Sequence, residues 1–290
     1  MGMASDSFPH RATVWRLRTR QLELPRRPLL MGIVNVTPDS FSDGGQFLDA
    51  AAAVAHARAL VADGADLLDV GGESTRPGAA AVSDEEEIAR VMPVIRRLVD
   101  EVEVPISIDT RKACVAQAAI DAGAEIINDV SGFEADPLMI GVAAATGAGV
   151  CLMHMQGTPE TMQNNPTYTN VVADVHRYLR ARRDALVAAG VSRENICLDP
   201  GIGFGKSYAH NLALLRSCHA LHALGCPLLV GHSRKSFLGK LLGDDTADRT
   251  QATVGVALGL AGQGVQILRV HDVRPVREAL LAFEMSGGLA

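Results

Sequence analysis

The side chains in this chain with chemistry to offer sit at the ends of short apolar runs. In order they are Asn35, Asp69, Asp109, Asn128, His154, Asp199, His232 and His271. A single polar residue at a strand end simply meets water. Eight in the same place of a repeating unit point to one shared face, where rigid strands carry the catalytic groups and loops are free to vary.

The segments after these residues add to the pattern. The first, Thr37-Pro38-Asp39-Ser40-Phe41-Ser42-Asp43-Gly44-Gly45, is long and polar around one phenylalanine. The second, Glu73-Ser74-Thr75-Arg76-Pro77-Gly78, carries an arginine among turn formers. Both have the composition of lids. Asp199-Pro200-Gly201-Ile202-Gly203-Phe204-Gly205-Lys206 is glycine-rich, yet Pro200 stands where a Walker loop requires glycine, and the spacing is not Gly-x-Gly-x-x-Gly. It suits close approach of the backbone and Phe204 to a flat ligand. Ser233-Arg234-Lys235-Ser236-Phe237 opens a helix and offers Lys235 as a Schiff-base former or as a donor. Arg269 and His271, two apart on a strand and next to a helix start, form a candidate anion site. With no His-Glu-x-x-His and no EF-hand loop, an all-protein metal cage is not expected. Asn35, as a lone oxygen donor, suits Mg²⁺ shared with substrate phosphates and water.

What positions these groups is a recurring unit: an Ala-rich helix, a glycine, then an apolar strand. Gly64, Gly123, Gly147, Gly190, Gly225 and Gly264 all precede such strands, as fits a left-handed helix cap. Ser83 and Glu86 have capping-box spacing ahead of another helix. Eight strand-like segments follow, at roughly 29–36, 66–71, 104–109, 125–129, 149–154, 196–199, 227–231 and 265–270. Near-continuous apolar strands alternating with helices imply parallel pairing with both faces buried. Eight of them predict an α/β fold, a (β/α)₈ TIM barrel, over residues 28–290. Residues 1–27 stand outside the repeat, and their alternation predicts a hairpin, placed at the barrel bottom.

Composition bounds the rest. With 27 basic and 33 acidic residues in 290, the net charge is −6, which leaves no general basic face for nucleic acid. The five cysteines form no Cys-x-x-Cys pair, and three of them, beside apolar strand or helix residues, are expected in core packing. No apolar run approaches a membrane span, and Ser5, Asp6 and Ser7 interrupt any signal-peptide core. A cytoplasmic location is expected.

Residues 31–45, 72–78, 199–206, 233–237 and 269–272 together closely resemble the dihydropteroate synthase family of the folate pathway. The likeness runs in order from about residue 28 to the final helix, without a fused pyrophosphokinase or aldolase domain. It implies a transferase, a target of sulfonamides, that joins 6-hydroxymethyl-7,8-dihydropterin diphosphate to p-aminobenzoate by an SN1-like path. It implies that Asp109, Asn128 and Asp199 read the pterin edge, with Lys235 donating to the ring system. Arg269 would lie against the ring face and Met153 would line the pocket. Asn35 with Mg²⁺, Arg269 and His271 would hold the diphosphate. Phe41, Thr75, Arg76, Pro77, Phe204 and Ser236 would enclose p-aminobenzoate. A homodimer is also implied, while Asp69, His154 and His232 are left as supports or spectators. A pterin-dependent methyltransferase barrel and a non-catalytic pterin-binding paralogue are the rival readings. The first gives no reason for the Ser-Phe-Ser-Asp-Gly-Gly and Ser-Arg-Lys-Ser segments, and the second is opposed by an intact Asn35, Asp109, Lys235 and Arg269.

Overall fold

A computed structural model describes residues 8–36, 45–75 and 82–289. Two short strands come first, β1 (Val14–Arg16) and β2 (Gln21–Glu23). Eight more follow: β3 (Leu29–Asn35), β4 (Leu67–Gly71), β5 (Ile106–Asp109), β6 (Ile126–Asp129), β7 (Gly149–Met153), β8 (Ile196–Asp199), β9 (Leu229–Val230) and β10 (Ile267–Val270). The helices between them are α1 (Gly45–Ala62), α2 (Asp84–Glu101), α3 (Ala113–Asp121), α4 (Met139–Thr146), α5 (Val171–Ala188) and α6 (Tyr208–Arg216). Both α7 (Ser236–Leu242) and α8 (Thr250–Gly262) lie between β9 and β10, and α9 (Val273–Met285) ends the chain.

Strands β3 to β10 are all parallel, in the order β8-β7-β6-β5-β4-β3-β10-β9. A parallel bridge between Leu198 and Leu228 joins the two ends, so the sheet closes into the (β/α)₈ barrel that the repeat predicts. Local signals set its pieces. Gly147 and Gly225 both take the left-handed conformation at helix C-caps, with φ of 67° and 65°, where a Cβ would be penalised. Ser83 caps α2 by accepting from the Glu86 N–H. The predicted box is only half made, because the Glu86 carboxylate pairs with Arg90 one turn on.

The period of two along each strand separates two environments. Outward-facing Leu30, Val34, Leu68, Val70, Ile108, Ile127, Val150, Leu152, Leu198 and Leu268 pack under the helices. Inward-facing Met31, Leu67, Ile126, Cys151, Cys197, Leu229 and Ile267 fill the lower barrel with the fully buried Trp15. Two residues further along five of these strands the inward positions are Asp69, Asn128, Met153, Asp199 and Arg269, while β3 has Ile33 and the chain after β9 has Gly231. One strand step therefore changes the interior from hydrocarbon to chemistry.

Strands β1 and β2 form an antiparallel hairpin that supplies the barrel floor. Trp15 donates its ring N–H to the Asn195 carbonyl at 2.8 Å. Arg11 ties the approach to the hairpin to the Gly264 carbonyl at 2.9 Å and the Leu24 carbonyl at 3.1 Å. Glu125 accepts from Thr19 N–H and from Arg20. Of the cysteines, Cys151, Cys197, Cys218 and Cys226 are buried and Cys114 is exposed.

Candidate active site

The floor obliges any ligand to enter from the C-terminal ends of the strands. There, register places Asn35, Gly71, Asp109 and Asn128 side by side across β3, β4, β5 and β6. Asp69 is a correction to the reading of strand tips: β4 runs on to Gly71, and Asp69 lies within it, with 0% of its surface exposed.

Arg269 organises this tier. Its Nε donates to Asp69 Oδ2 at 2.6 Å, and its terminal nitrogen donates to Asp109 Oδ2 at 2.8 Å. Asp69 Oδ2 also accepts from the Asn128 amide at 3.0 Å. Of the residues expected at the site, Arg269 therefore holds Asp109 directly and is joined to Asn128 through Asp69. A guanidinium held by two carboxylates loses rotational freedom and presents a fixed plane. Withdrawal from water pushes Asp109 up to about 7, with Arg269 pulling it back and the Asp69 charge adding to the rise.

Asp199 stands across the barrel, beside Met153 in the register of β7 and β8. Its Oδ1 accepts from the Gly201 N–H at 2.7 Å. Burial raises its pKa to about 6, opposed by that bond and by the charges of Lys235, Lys206 and Arg269. Gly201 has φ +68°, and a Cβ there would stand 1.9 Å from the His154 carbonyl oxygen and 3.2 Å from Met153 Cγ. Only glycine lets the chain turn so closely over the end of β7.

Lys235 is the residue before α7. Its ammonium lies 3.9 Å from the centroid of the Phe204 ring, a cation–π arrangement. Removal from water lowers its pKa to about 8, helped by the Arg269 charge and opposed by Asp199 and Asp109. Phe204 is half-buried and Ser236 exposed, so both belong to the mouth rather than the depth of the barrel. His271 is half-buried, just beyond β10; its N–H donates to Ser233 Oγ at 3.2 Å, and its Nδ1 pairs with the same hydroxyl at 3.0 Å. Together with Arg269 and the N-terminus of α9 it can meet an anion. Thr75 is half-buried after β4. Phe41, Arg76 and Pro77 lie outside the described residues.

His232 is buried against the Thr253 carbonyl at 3.1 Å, and burial lowers its pKa to about 4. It remains a neutral packing residue. Two residues carry more of the geometry than the sequence indicates. Ser233 orients His271, and Lys206 ties His154, just past β7, to the Phe204 carbonyl in the turn after β8. The one signal for Lys206 in the sequence is its place directly after the glycine run. Among the described residues no group of three or more His, Cys, Asp or Glu side chains is spaced to hold a metal ion. A divalent ion here would rely on the Asn35 amide oxygen plus oxygens brought by a ligand and water, a donor set that fits Mg²⁺.

Comparison with known proteins agrees with this geometry. The pterin binding enzyme family matches residues 31–271. A dihydropteroate synthase of Neisseria meningitidis serogroup B is 48% identical over 280 residues, covering 94% of this chain and 98% of the relative. Among solved structures, a Xanthomonas albilineans dihydropteroate synthase with 4-aminobenzoic acid is 46% identical, with TM-score 0.88 over 95% of this chain and 98% of that one. The Xanthomonas albilineans enzyme in complex with 7,8-dihydropteroate superposes with TM-score 0.84 at 43% identity, over 94% and 98%. The barrel, its polar upper tier and these near full-length matches place the chain in the dihydropteroate synthase family of pterin binding enzymes.

Proposed function

We propose that this chain condenses 6-hydroxymethyl-7,8-dihydropterin diphosphate with p-aminobenzoate, releasing 7,8-dihydropteroate and pyrophosphate. The observation that carries the reading is the upper tier, where Asp109, Asn128 and Arg269 are locked together opposite Asp199. A pterin presents ring N–H and amino donors along one edge, and carboxylates with an amide are the groups that read such an edge. Asp109, Asn128 and Asp199 take this role, Lys235 donates to the ring acceptors, Arg269 lies against the ring face, and Met153 lines the pocket.

The bond between the pterin methylene and the diphosphate oxygen breaks first, and its electron pair leaves with pyrophosphate. Arg269, His271 and the α9 N-terminus face that developing charge. Asn35 would hold Mg²⁺, which supplies charge neutralisation on the diphosphate. The methylene cation left behind is delocalised into the pterin, and Asp109 favours it electrostatically. An adjacent cation draws Asp109 toward its carboxylate form, against the burial that raises its pKa. The arylamine lone pair then forms the C–N bond, and the nitrogen releases a proton to water. Because an arylamine is neutral near pH 7, no strong general base is required.

Phe204, Ser236 and Thr75 are the described residues assigned to p-aminobenzoate, and the family resemblance adds Phe41, Arg76 and Pro77. The chain works as a cytoplasmic homodimer in this reading. Helix α8 supports the second copy: it is rich in glycine and small apolar residues and exposes Gly255, Gly259 and Gly262, while α7, which packs on it, exposes Leu241 and Leu242. No helix among the described residues is long and apolar enough to cross a membrane.

The direct test is to mix purified protein with the dihydropterin diphosphate, p-aminobenzoate and Mg²⁺ and to follow dihydropteroate. Product formation inhibited competitively by a sulfonamide is the expected result. Absence of product with competent substrates would refute the assignment.

A further inference from the structure

The glycine-rich turn after β8 is held by side chains that have no part in the proposed chemistry. The Gly203 N–H donates to Asn211 Oδ1 at 2.7 Å, and the Gly203 carbonyl accepts from Gln163 at 2.9 Å. The Gly205 carbonyl accepts from Tyr168 Oη at 2.7 Å. Between them, the Phe204 carbonyl accepts from Lys206 Nζ at 2.8 Å.

Lys206 is the costly member of this set. Only 3% of its surface is exposed. Its other bonds go to His154 Nδ1 at 3.0 Å and the His154 carbonyl at 3.3 Å. All three acceptors are neutral, and Asp199 acts on the amine only through its longer-range charge. A buried ammonium is expensive when no carboxylate bonds to it directly, and an apolar side chain of similar length would fill the same space at less cost. Burial accordingly lowers the lysine to about 7 and, with the Lys206 charge, the His154 imidazole to about 3.

What the lysine obtains for this cost is a fixed connection between the end of β7 and the backbone of Phe204. The ring of that residue faces the Lys235 ammonium at 3.9 Å. Gly203 lets the two approach, since a Cβ there would stand 3.0 Å from Lys235 Cδ. We propose that Lys206 is a positioning residue for the arylamine: by fixing the Phe204 carbonyl it sets the ring that walls the p-aminobenzoate pocket. This inference rests on the synthase reading above.

Steady-state kinetics with both substrates varied separate the two. Wild type is measured first; failure to form dihydropteroate would sink the synthase reading and the positioning role with it. With wild type active, Lys206→Met keeps the apolar stem and removes the donors. The KM for p-aminobenzoate is expected to rise about tenfold, the size of one well-placed contact. The KM for the dihydropterin diphosphate and kcat should change less than about threefold. A residue that merely braced the fold would lower the amount of active enzyme and so reduce apparent kcat, with both KM values unmoved. That outcome, or an equal rise in both KM values, would overturn the proposal. Should Lys206→Met fail to fold, Tyr168→Phe removes a single hydroxyl from the Gly205 carbonyl. It is expected to raise the p-aminobenzoate KM alone by about threefold, and no change would overturn the proposal.

Discussion

Replacing Asp69 by asparagine should disable the site without touching a residue that meets substrate. Asp69 Oδ2 accepts from both Arg269 and Asn128, and Asp69 Oδ1 has no hydrogen-bond partner among the described residues. An asparagine can still offer one oxygen to Arg269, but its amino group then occupies a buried position with no acceptor. It also removes the charge facing a guanidinium of which only 20% is exposed. Breaking a buried pair by removing one partner costs about 3–5 kcal/mol. Arg269 keeps Asp109, so about 2–3 kcal/mol is the expected loss here, in the range of a charged hydrogen bond. Carried into the transition state, that is a fall of about 30- to 150-fold in kcat/KM. Denaturant unfolding and steady-state kinetics on the same preparation measure both numbers. If Asp69→Asn kept wild-type stability and kcat/KM within threefold, Arg269 would be held by Asp109 alone and the hub role of Asp69 would be wrong.

The raised pKa of Asp199 gives a pH profile. Below about pH 6 the carboxyl takes a proton and loses the acceptor proposed for the pterin edge, so kcat/KM for the dihydropterin diphosphate should fall about tenfold per pH unit there. A profile flat down to pH 5 would refute it. For stability the sign is reversed: the contribution of this buried group is full below its unfolded pKa of about 4 and is lost as pH rises through about 6, which urea midpoints across that range would register. Gly201→Ala combines a left-handed φ with a collision against the His154 carbonyl and should cost at least about 3 kcal/mol; a variant melting with wild type would contradict the close approach. Trp15→Ala empties the barrel floor and should destabilise by about 3–5 kcal/mol, measured by chemical denaturation, and a loss under 1 kcal/mol would show that the hairpin does not seal the barrel.

The barrel is legible in the sequence because its signals are local. Glycine after an Ala-rich helix and an apolar run of four or five residues can be recognised without knowing what lies across the molecule. Most of the upper tier follows from the same rule, since Asp109, Asn128, Asp199 and His271 sit at or next to the last residue of their strands. Asp69 shows where the rule stops. Its partner Arg269 is 200 residues away in the chain, and only closure of the barrel brings the two together. Lys206 was hidden for a different reason. A lysine after a glycine run reads as solvated, and nothing nearby in sequence indicates that its amine turns in to His154 beyond β7. The half-made capping box on α2 is similar, because spacing predicts that Glu86 can reach the cap but not that Arg90 competes for it.

The floor also has a spectroscopic consequence. The chain contains one tryptophan, and it is the residue that plugs the closed end of the barrel, a full strand step below the polar tier. Its emission therefore reports whether the N-terminal hairpin is seated, and it is shielded by a layer of aliphatic side chains from whatever occupies the mouth. Unfolding can be followed with this intrinsic probe alone. Ligand binding calls for a reporter placed elsewhere, and a pterin, being itself a chromophore, supplies one.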